Sequence, residues 1–337
     1  MHAVVLVGGF GTRLRPLTNS VPKALLPIAH VPLLVRLIGQ LERGGVDHVT
    51  LALGFLPEPF VAAFPDGRCG GVALDYAIEP EPLDTAGAIR FAADHAGIDD
   101  TFVVANGDVL TDLSIADLVA AHRAAGAEAT IHLIGVEDPS AFGVVEHDAS
   151  GRILRFVEKP PLGSQPSNLI NAGTYVFEPS VLARIPAGRR SSIEREIFPA
   201  IAADGRFHSL ATDDYWIDAG RPELYRKANL DLVNGCRTEV CEPVAPEAEI
   251  AGDAVVADSV VGAASVAEGA RVSGSVVLAG ASIGARAVVE DSIVAGAVGA
   301  DAVLVRAVVG ADAKISAGEH LSDARVPAES DARSDTV

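Results

Sequence analysis

The sequence predicts an α/β domain with a mixed, mostly parallel sheet, followed by a left-handed parallel β-helix. Three observations predict it. Short apolar runs alternate with helical patterns as far as about residue 136, as in a parallel sheet covered by helices. Residues 142–177 then read as successive strands joined by turns, an antiparallel lid or extension over the crevice. Past residue 234 aromatic residues vanish, and aliphatic residues return at steps of about six. The expected domains are 1–233, 243–326 and a flexible tail, 327–337.

The elements follow in order. Ala3 to Val7 is apolar throughout and reads as a buried strand. Leu33, Leu34, Leu37, Ile38 and Leu41 have helical spacing, and Gly44-Gly45 stops that helix. Val49–Leu53 and Val72–Ile78 read as strands. Thr85–His95 is helical, with Asp84 as its expected N-cap. Thr101–Ala105 is a strand ending in Asn106-Gly107-Asp108. Ser114–Ala125 is a helix with a Ser cap, and Ala129–Val136 a strand. Gly143–Glu146, Arg152–Val157 and Ile170–Phe177 are the later strands. Helices return at Pro179–Ile185, Ser192–Asp204 and Pro222–Val233, with short strands at Phe207–Leu210 and Tyr215–Ile217. In the tail half, Val244, Ile250 and Val256 are six apart, as are Val303, Val309, Ile315 and Leu321, with slips to five elsewhere. Each coil of a β-helix buries such a set.

Between the first strand and helix lies Val7-Gly8-Gly9-Phe10-Gly11-Thr12-Arg13-Leu14-Arg15-Pro16-Leu17-Thr18, then Pro22-Lys23. Glycines let backbone N–H groups approach an anion, and Arg13 and Lys23 bring the permanent charge a triphosphate requires. It is not a Walker loop, because Thr-Arg follows Gly11. It is not the dinucleotide fingerprint, because Leu14 stands where the third glycine belongs.

The chain has 337 residues, 49% hydrophobic, with a net charge of −19. That charge argues against a nucleic-acid binder. Anionic substrates must then be drawn in by local charge or metal ions. Cys69, Cys236 and Cys241 form no Cys-x-x-Cys pair, which points to a reduced compartment without a zinc site. No signal segment precedes the first strand, and no apolar run reaches the ~18 residues of a spanning helix. The expectation is cytoplasmic.

The loop with Pro22-Lys23-Ala24-Leu25-Leu26-Pro27-Ile28 resembles the signature of the sugar-1-phosphate nucleotidyltransferases. The resemblance implies their Rossmann-like sandwich. It implies nucleotide binding by Leu6, Gly8, Gly9, Gly11, Thr12, Glu79, Thr85 and Gly87. It puts the sugar phosphate on Gly107, Gly143, Glu158, Asn171 and Gly173. Arg13, Lys23 and Lys159 are the implied catalytic cations, and Asp108 and Asp218 the ligands of Mg2+. Alone, Asp108 reads better as a turn residue and Glu158-Lys159-Pro160 better as a solvated pair at a strand end, and Asp218 also reads as the cap of the helix near Pro222.

The turn Glu79-Pro80-Glu81-Pro82-Leu83-Asp84-Thr85-Ala86-Gly87 and the runs Ile170–Phe177 and Ser192–Pro199 are most similar to the mannose-1-phosphate guanylyltransferase branch. Asp84 stands where that turn has Gly, and Phe142 where many relatives have Tyr. The implied reaction joins GTP and mannose 1-phosphate, with release of pyrophosphate. Alternatives are glucose 1-phosphate or a cyclitol 1-phosphate with dTTP, UTP or ATP, and a non-catalytic regulatory paralogue. His320 is the only His in the coils, so an acyltransferase there is disfavoured. The β-helix reads as an assembly or regulatory module of a homo-oligomer, with no nucleic-acid or membrane partner.

Overall fold

The computed structural model describes residues 1–9, 11–19, 21–54 and 57–326. The expected tail lies outside the described residues. Before the coils the elements are β1 (His2–Leu6), β2 (Pro27–Ile28), β3 (Val31–Pro32), α1 (Leu33–Arg43), β4 (His48–Leu53), α2 (Pro57–Ala63), β5 (Arg68–Cys69), β6 (Val72–Ile78), α3 (Asp84–Ala96), β7 (Phe102–Asn106), β8 (Val109–Thr111), α4 (Ile115–Ala125), β9 (Ala129–Gly135), β10 (Gly143–His147), β11 (Ile153–Glu158), β12 (Leu169–Phe177), α5 (Ser180–Arg184), α6 (Phe198–Ala203), β13 (Phe207–Thr212), β14 (Trp216–Asp218) and α7 (Pro222–Val233). The chain packs as two compact units that do not follow chain order. One comprises residues 1–9 and 34–216; the other comprises, among described residues, 11–33 and 217–326.

The first unit is built on a ten-stranded mixed sheet in the order β11-β10-β12-β7-β1-β4-β6-β5, with β9 against β12 and β13 against β9. β1 lies parallel between β4 and β7. The antiparallel strands form no separate lid: β12 pairs with both β7 and β9, and β10 and β11 continue the same sheet. The reason lies in β12, which is buried along nearly its whole length and so belongs in a sheet interior. The core beside it is aromatic. Tyr175 stacks on Phe177 at 5.6 Å between centroids, and Phe198 on Phe207 at 4.9 Å.

Helix ends follow local chemistry. Ser114 Oγ accepts the Asp117 N–H at 3.2 Å, the expected cap of α4. Asp84 is not the side-chain cap of α3. It adopts a left-handed φ of 62°, and its carboxylate takes the adjacent Thr85 N–H at 2.9 Å. The stretch expected as one helix from Ser192 begins instead with a π-helical turn, Ile193–Ile197. Pro199 has no N–H for the Arg195 carbonyl, and its ring crowds the preceding turn.

The second unit contains the β2–β3 hairpin, α7 and the left-handed β-helix, whose three faces are parallel sheets of five strands each. Glu249 lies beside Ser265, Ser265 beside Ser282, Ser282 beside Ala297 and Ala297 beside Lys314, so successive coils run sixteen, seventeen, fifteen and seventeen residues. The coil core is aliphatic: Val272, Val289 and Leu304 stack at register positions along one face. Inside one corner Ser259, Ser275 and Ser292 form a ladder, each hydroxyl accepting a backbone N–H from the next coil. One column of corners, Asp258, Gly274, Asp291, Arg306 and Asp323, is left-handed throughout. α7 is fixed by Asn229, which accepts the Ala29 N–H at 2.8 Å, and by Arg226, paired with Asp291 at 2.7 Å and bonded to the Gly274 carbonyl.

Candidate functional site

Each unit carries a share of the expected site. In the second unit, Gly11 holds φ at 61°, and a Cβ there would lie 3.1 Å from Thr18 and 3.3 Å from Lys23. Glycine is the residue that tolerates both constraints. Thr18 Oγ1 closes the turn on the Gly11 carbonyl at 2.8 Å, and Thr12–Leu14 forms a single 3₁₀ turn. The turn presents Arg13 and Lys23 to one carboxylate. Asp218 Oδ1 lies 3.2 Å from Lys23 Nζ, and Oδ2 lies 3.8 Å from Arg13 Nη2. Lys23 is mostly buried, at 11% side-chain exposure, whereas Arg13 is 57% exposed. Two cations on one carboxylate leave a net positive charge, suited to a phosphate.

Gly220, the glycine of the run Trp216-Ile217-Asp218-Ala219-Gly220, completes this cluster. Its N–H donates to Asp218 Oδ1 at 2.8 Å. A Cβ on it would meet Asp218 Oδ1, Lys23 Nζ and Arg13 Nη2, each within 2.8 Å. Its signal was its place two residues after an Asp that ends a strand.

In the first unit, Leu6 ends β1 in register with Ala52 and Asn106. Gly8 and Gly9 therefore follow the carboxyl end of β1, as Gly107 and Asp108 follow that of β7, where open α/β sheets bind ligands. A Cβ on Gly107 would collide with Val7, so its lack of side chain is a packing need as well. Gly87 and Gly143 are similar: added atoms would lie 2.8 Å from the Arg189 carbonyl and 2.5 Å from the Phe156 ring.

The acidic and polar members have partners within the protein. Glu79 is buried and accepts the Leu83 N–H at 2.8 Å, and burial raises its pKa. It shapes the turn 79–83. Thr85 Oγ1 donates to Glu194 at 2.7 Å and accepts the Ile193 N–H at 2.9 Å. Glu194, also bonded by Ser192 at 2.8 Å, thereby joins the π-helical turn to the start of α3. It was missed, because its partner is 109 positions away. Burial, aided by the negative charge of Glu194, raises the pKa of Glu158. Lys159 Nζ lies 3.4 Å from Glu158 and is 60% exposed, on a backbone held at φ 46°. Such strain on a non-glycine residue is typical of functional positions.

Asn171 and Gly173 sit where β12 breaks register with β9. Asn171 accepts the Gly173 N–H and donates to the Tyr175 hydroxyl, both at 2.9 Å. Gly173, at φ 80°, lies against Asn106. Bulges of this kind re-aim side chains beside active sites. Phe142 packs edge-on against Trp216 at 5.7 Å and joins an apolar cluster.

Residues 2–235 match the nucleotidyl transferase family, and residues 246–334 match the GlmU-like, C-terminal hexapeptide family. The chain is 44% identical over 237 residues to a mannose-1-phosphate guanylyltransferase of Mycobacterium tuberculosis, an alignment covering 70% of this chain and 65% of that protein. It is 43% identical over 229 residues to a mannose-1-phosphate guanyltransferase of Hypocrea jecorina, covering 66% and 62%. Among solved structures it resembles a putative glucose-1-phosphate thymidylyltransferase from Bacillus anthracis, with a TM-score of 0.62 at 26% identity over 68% of this chain and 94% of that one. It also resembles HddC from Yersinia pseudotuberculosis, with a TM-score of 0.58 at 30% identity over 68% and 97%. Among the described residues no helix is long and apolar enough to cross a membrane.

Proposed function

Since the chain belongs to the nucleotidyl transferase family, we propose that it joins GTP to mannose 1-phosphate and releases pyrophosphate. The observation that supports this most directly is the pairing of Arg13 and Lys23 on Asp218 beside a glycine turn. An oxygen of the sugar phosphate attacks the nucleotide's α-phosphorus. That P–O bond forms while the bond to the β-phosphate oxygen breaks, and pyrophosphate leaves with the electron pair. Positioning and charge neutralisation suffice for such a step, without a covalent intermediate.

In this reading Arg13 and Lys23 take up the charge of the departing pyrophosphate, and Lys159 holds the sugar phosphate. Glu158, Asn171 and the backbone at Gly107, Gly143 and Gly173 orient the sugar. Leu6, Gly8, Gly9, Gly11 and Thr12 line the nucleotide, and Glu79, Thr85 and Gly87 shape the turn that reads its base. Asp108 and Asp218 are the proposed carboxylates for Mg2+. Their oxygens suit a hard cation that binds one or two carboxylates together with substrate phosphates; Asp218 would have to release Lys23 and Arg13, which pair with it here, to the substrate phosphates. When bound, the ion would neutralise phosphate charge. The reading includes a homo-oligomer assembled through the β-helix and a cytoplasmic setting.

A second acceptor or nucleotide is favoured by one observation: Asp84 occupies the left-handed position of the base turn, with Arg190 3.6 Å from its carboxylate. The test is pyrophosphate release with Mg2+ across a panel of nucleoside triphosphates and sugar or cyclitol 1-phosphates. Release with GTP and mannose 1-phosphate is expected. Silence with every pair would sink the proposal, and release only with another pair would select the alternative.

A further inference from the structure

The β-helix reaches the cation-bearing loop through its last described coil. Arg325, on the final strand of one face, donates Nη1 to the Arg13 carbonyl at 2.9 Å and to the Arg15 carbonyl at 3.3 Å. Nearby, Arg226 and Arg306 each pair with a carboxylate, Asp291 at 2.7 Å and Asp323 at 2.6 Å. Arg325 instead spends its bond on the backbone of the loop. One coil earlier, Gly310 lies against Pro16: a Cβ on it would be 3.0 Å from Pro16 Cβ and 3.2 Å from Cγ.

The chemistry of the two carbonyls explains the contact. Thr12–Leu14 is a 3₁₀ turn capped by Arg15. Carbonyls at the end of any helical turn lack partners within it, and a cation supplied there is favourable. Nη1 of a guanidinium carries two N–H groups, so this one nitrogen can serve both acceptors. Fixing the carbonyls of residues 13 and 15 fixes the peptide planes that flank the Leu14-Arg15 pair, of which Leu14 is buried. It thereby fixes the root from which the Arg13 side chain extends to Asp218.

We propose that Arg325 is a positioning residue for nucleotidyl transfer: the last coil of the β-helix braces the loop that carries Arg13 and Lys23. The loop's catalytic role rests on the function proposed above, whereas the brace itself can be measured without it. The β-helix in this account sets active-site geometry within its own chain, whatever it does between chains.

The experiment compares wild type with Arg325→Ala, Arg325→Lys and Gly310→Ala. Three quantities are read: amide hydrogen exchange at residues 14, 15 and 17, pyrophosphate release, and thermal melting. Those amides bond within the loop, to Gly11, Thr12 and Leu14 respectively. In Arg325→Ala their exchange is expected to quicken and kcat to fall roughly tenfold, since small misplacements of catalytic groups carry costs of this order or larger. KM for the sugar phosphate and the melting temperature stay unchanged, and Arg325→Lys recovers part of the loss. Gly310→Ala disturbs the loop in the same direction with Arg325 intact.

Unchanged exchange at the three amides overturns the proposal whatever the activity. Quickened exchange with unchanged kcat in an active wild type also overturns it. So does faster exchange throughout the coils with lowered melting, which marks a merely structural arginine. A wild type silent with every substrate pair overturns the reaction instead, and exchange then decides the brace alone.

Discussion

The two units bury their apolar residues by opposite means. In the first, rings of Phe102, Tyr175, Phe177, Phe198 and Phe207 interlock across distant segments. In the second, coil after coil places Val, Ile, Leu and Ala at matching positions, and each coil touches its neighbours. The first core is a knot of rings from distant segments; the second is a stack. The turn with the two signature cations belongs to the stacked unit. The lesson is that a loop need not pack with the sheet strand it follows in sequence.

Mutations can break that contrast. The largest stability loss is expected at the knot. Phe198→Ala should cost about 3–5 kcal/mol, against about 1.5 kcal/mol for Val289→Ala in the stack, two methyl groups at ~0.8 kcal/mol each. Denaturant melts of both variants check this, and equal losses would erase the distinction.

Next comes the cation pair. Lys23→Met should lower kcat by about 10²–10³, the usual loss on removing one preorganised donor to developing charge. Steady-state pyrophosphate release measures it, with near-normal turnover removing Lys23 from the chemistry.

The third concerns acid. His132, on the face of β9 opposite the knot residues Ile131 and Leu133, is fully buried against Thr212, and burial lowers its pKa from 6.5 to about 4. Between those values the unfolded chain takes a proton that the folded chain refuses. Stability therefore falls as pH drops from 6.5 to 4, by up to about 3 kcal/mol. His132→Gln should flatten that part of a pH-melting series; an unaltered slope would assign it to other groups. The smallest effect belongs to the coil corners. Arg286→Ala removes an exposed pair with Asp301, 2.7 Å apart, and should leave the melting temperature unchanged.

Much of this was legible in the sequence. The coils were readable because each buried position recurs at a nearly fixed step. The ends of β1 and β7 were readable because glycine and aspartate follow apolar runs there. The corners were harder. Asp258, Gly274, Asp291, Arg306 and Asp323 share a backbone shape but not a residue type. The π-helical turn was hidden because Ser192 looks like an ordinary cap until Pro199 widens the turn behind it. The segment 142–177 reads as a lid or extension because strands follow one another there with only turns between them, yet burial along β12 draws them into the sheet. Thr85–Glu194 and Arg325–Arg13 are contacts of side chains with partners 109 and 312 positions away. Neither leaves a local pattern; one ends on a backbone carbonyl, which carries no residue identity at all.

The left-handed corner column has one more consequence. α7 grips it at Gly274 and Asp291 through Arg226, and the same column runs on through Arg306 to Asp323, two residues before Arg325. Each coil advances the stack by about 4.8 Å. One coil more or fewer between those points would carry the guanidinium that far from the loop, beyond the stretch of any hydrogen bond. The number of repeats therefore acts as a ruler, its zero at α7 and its last graduation at residue 325.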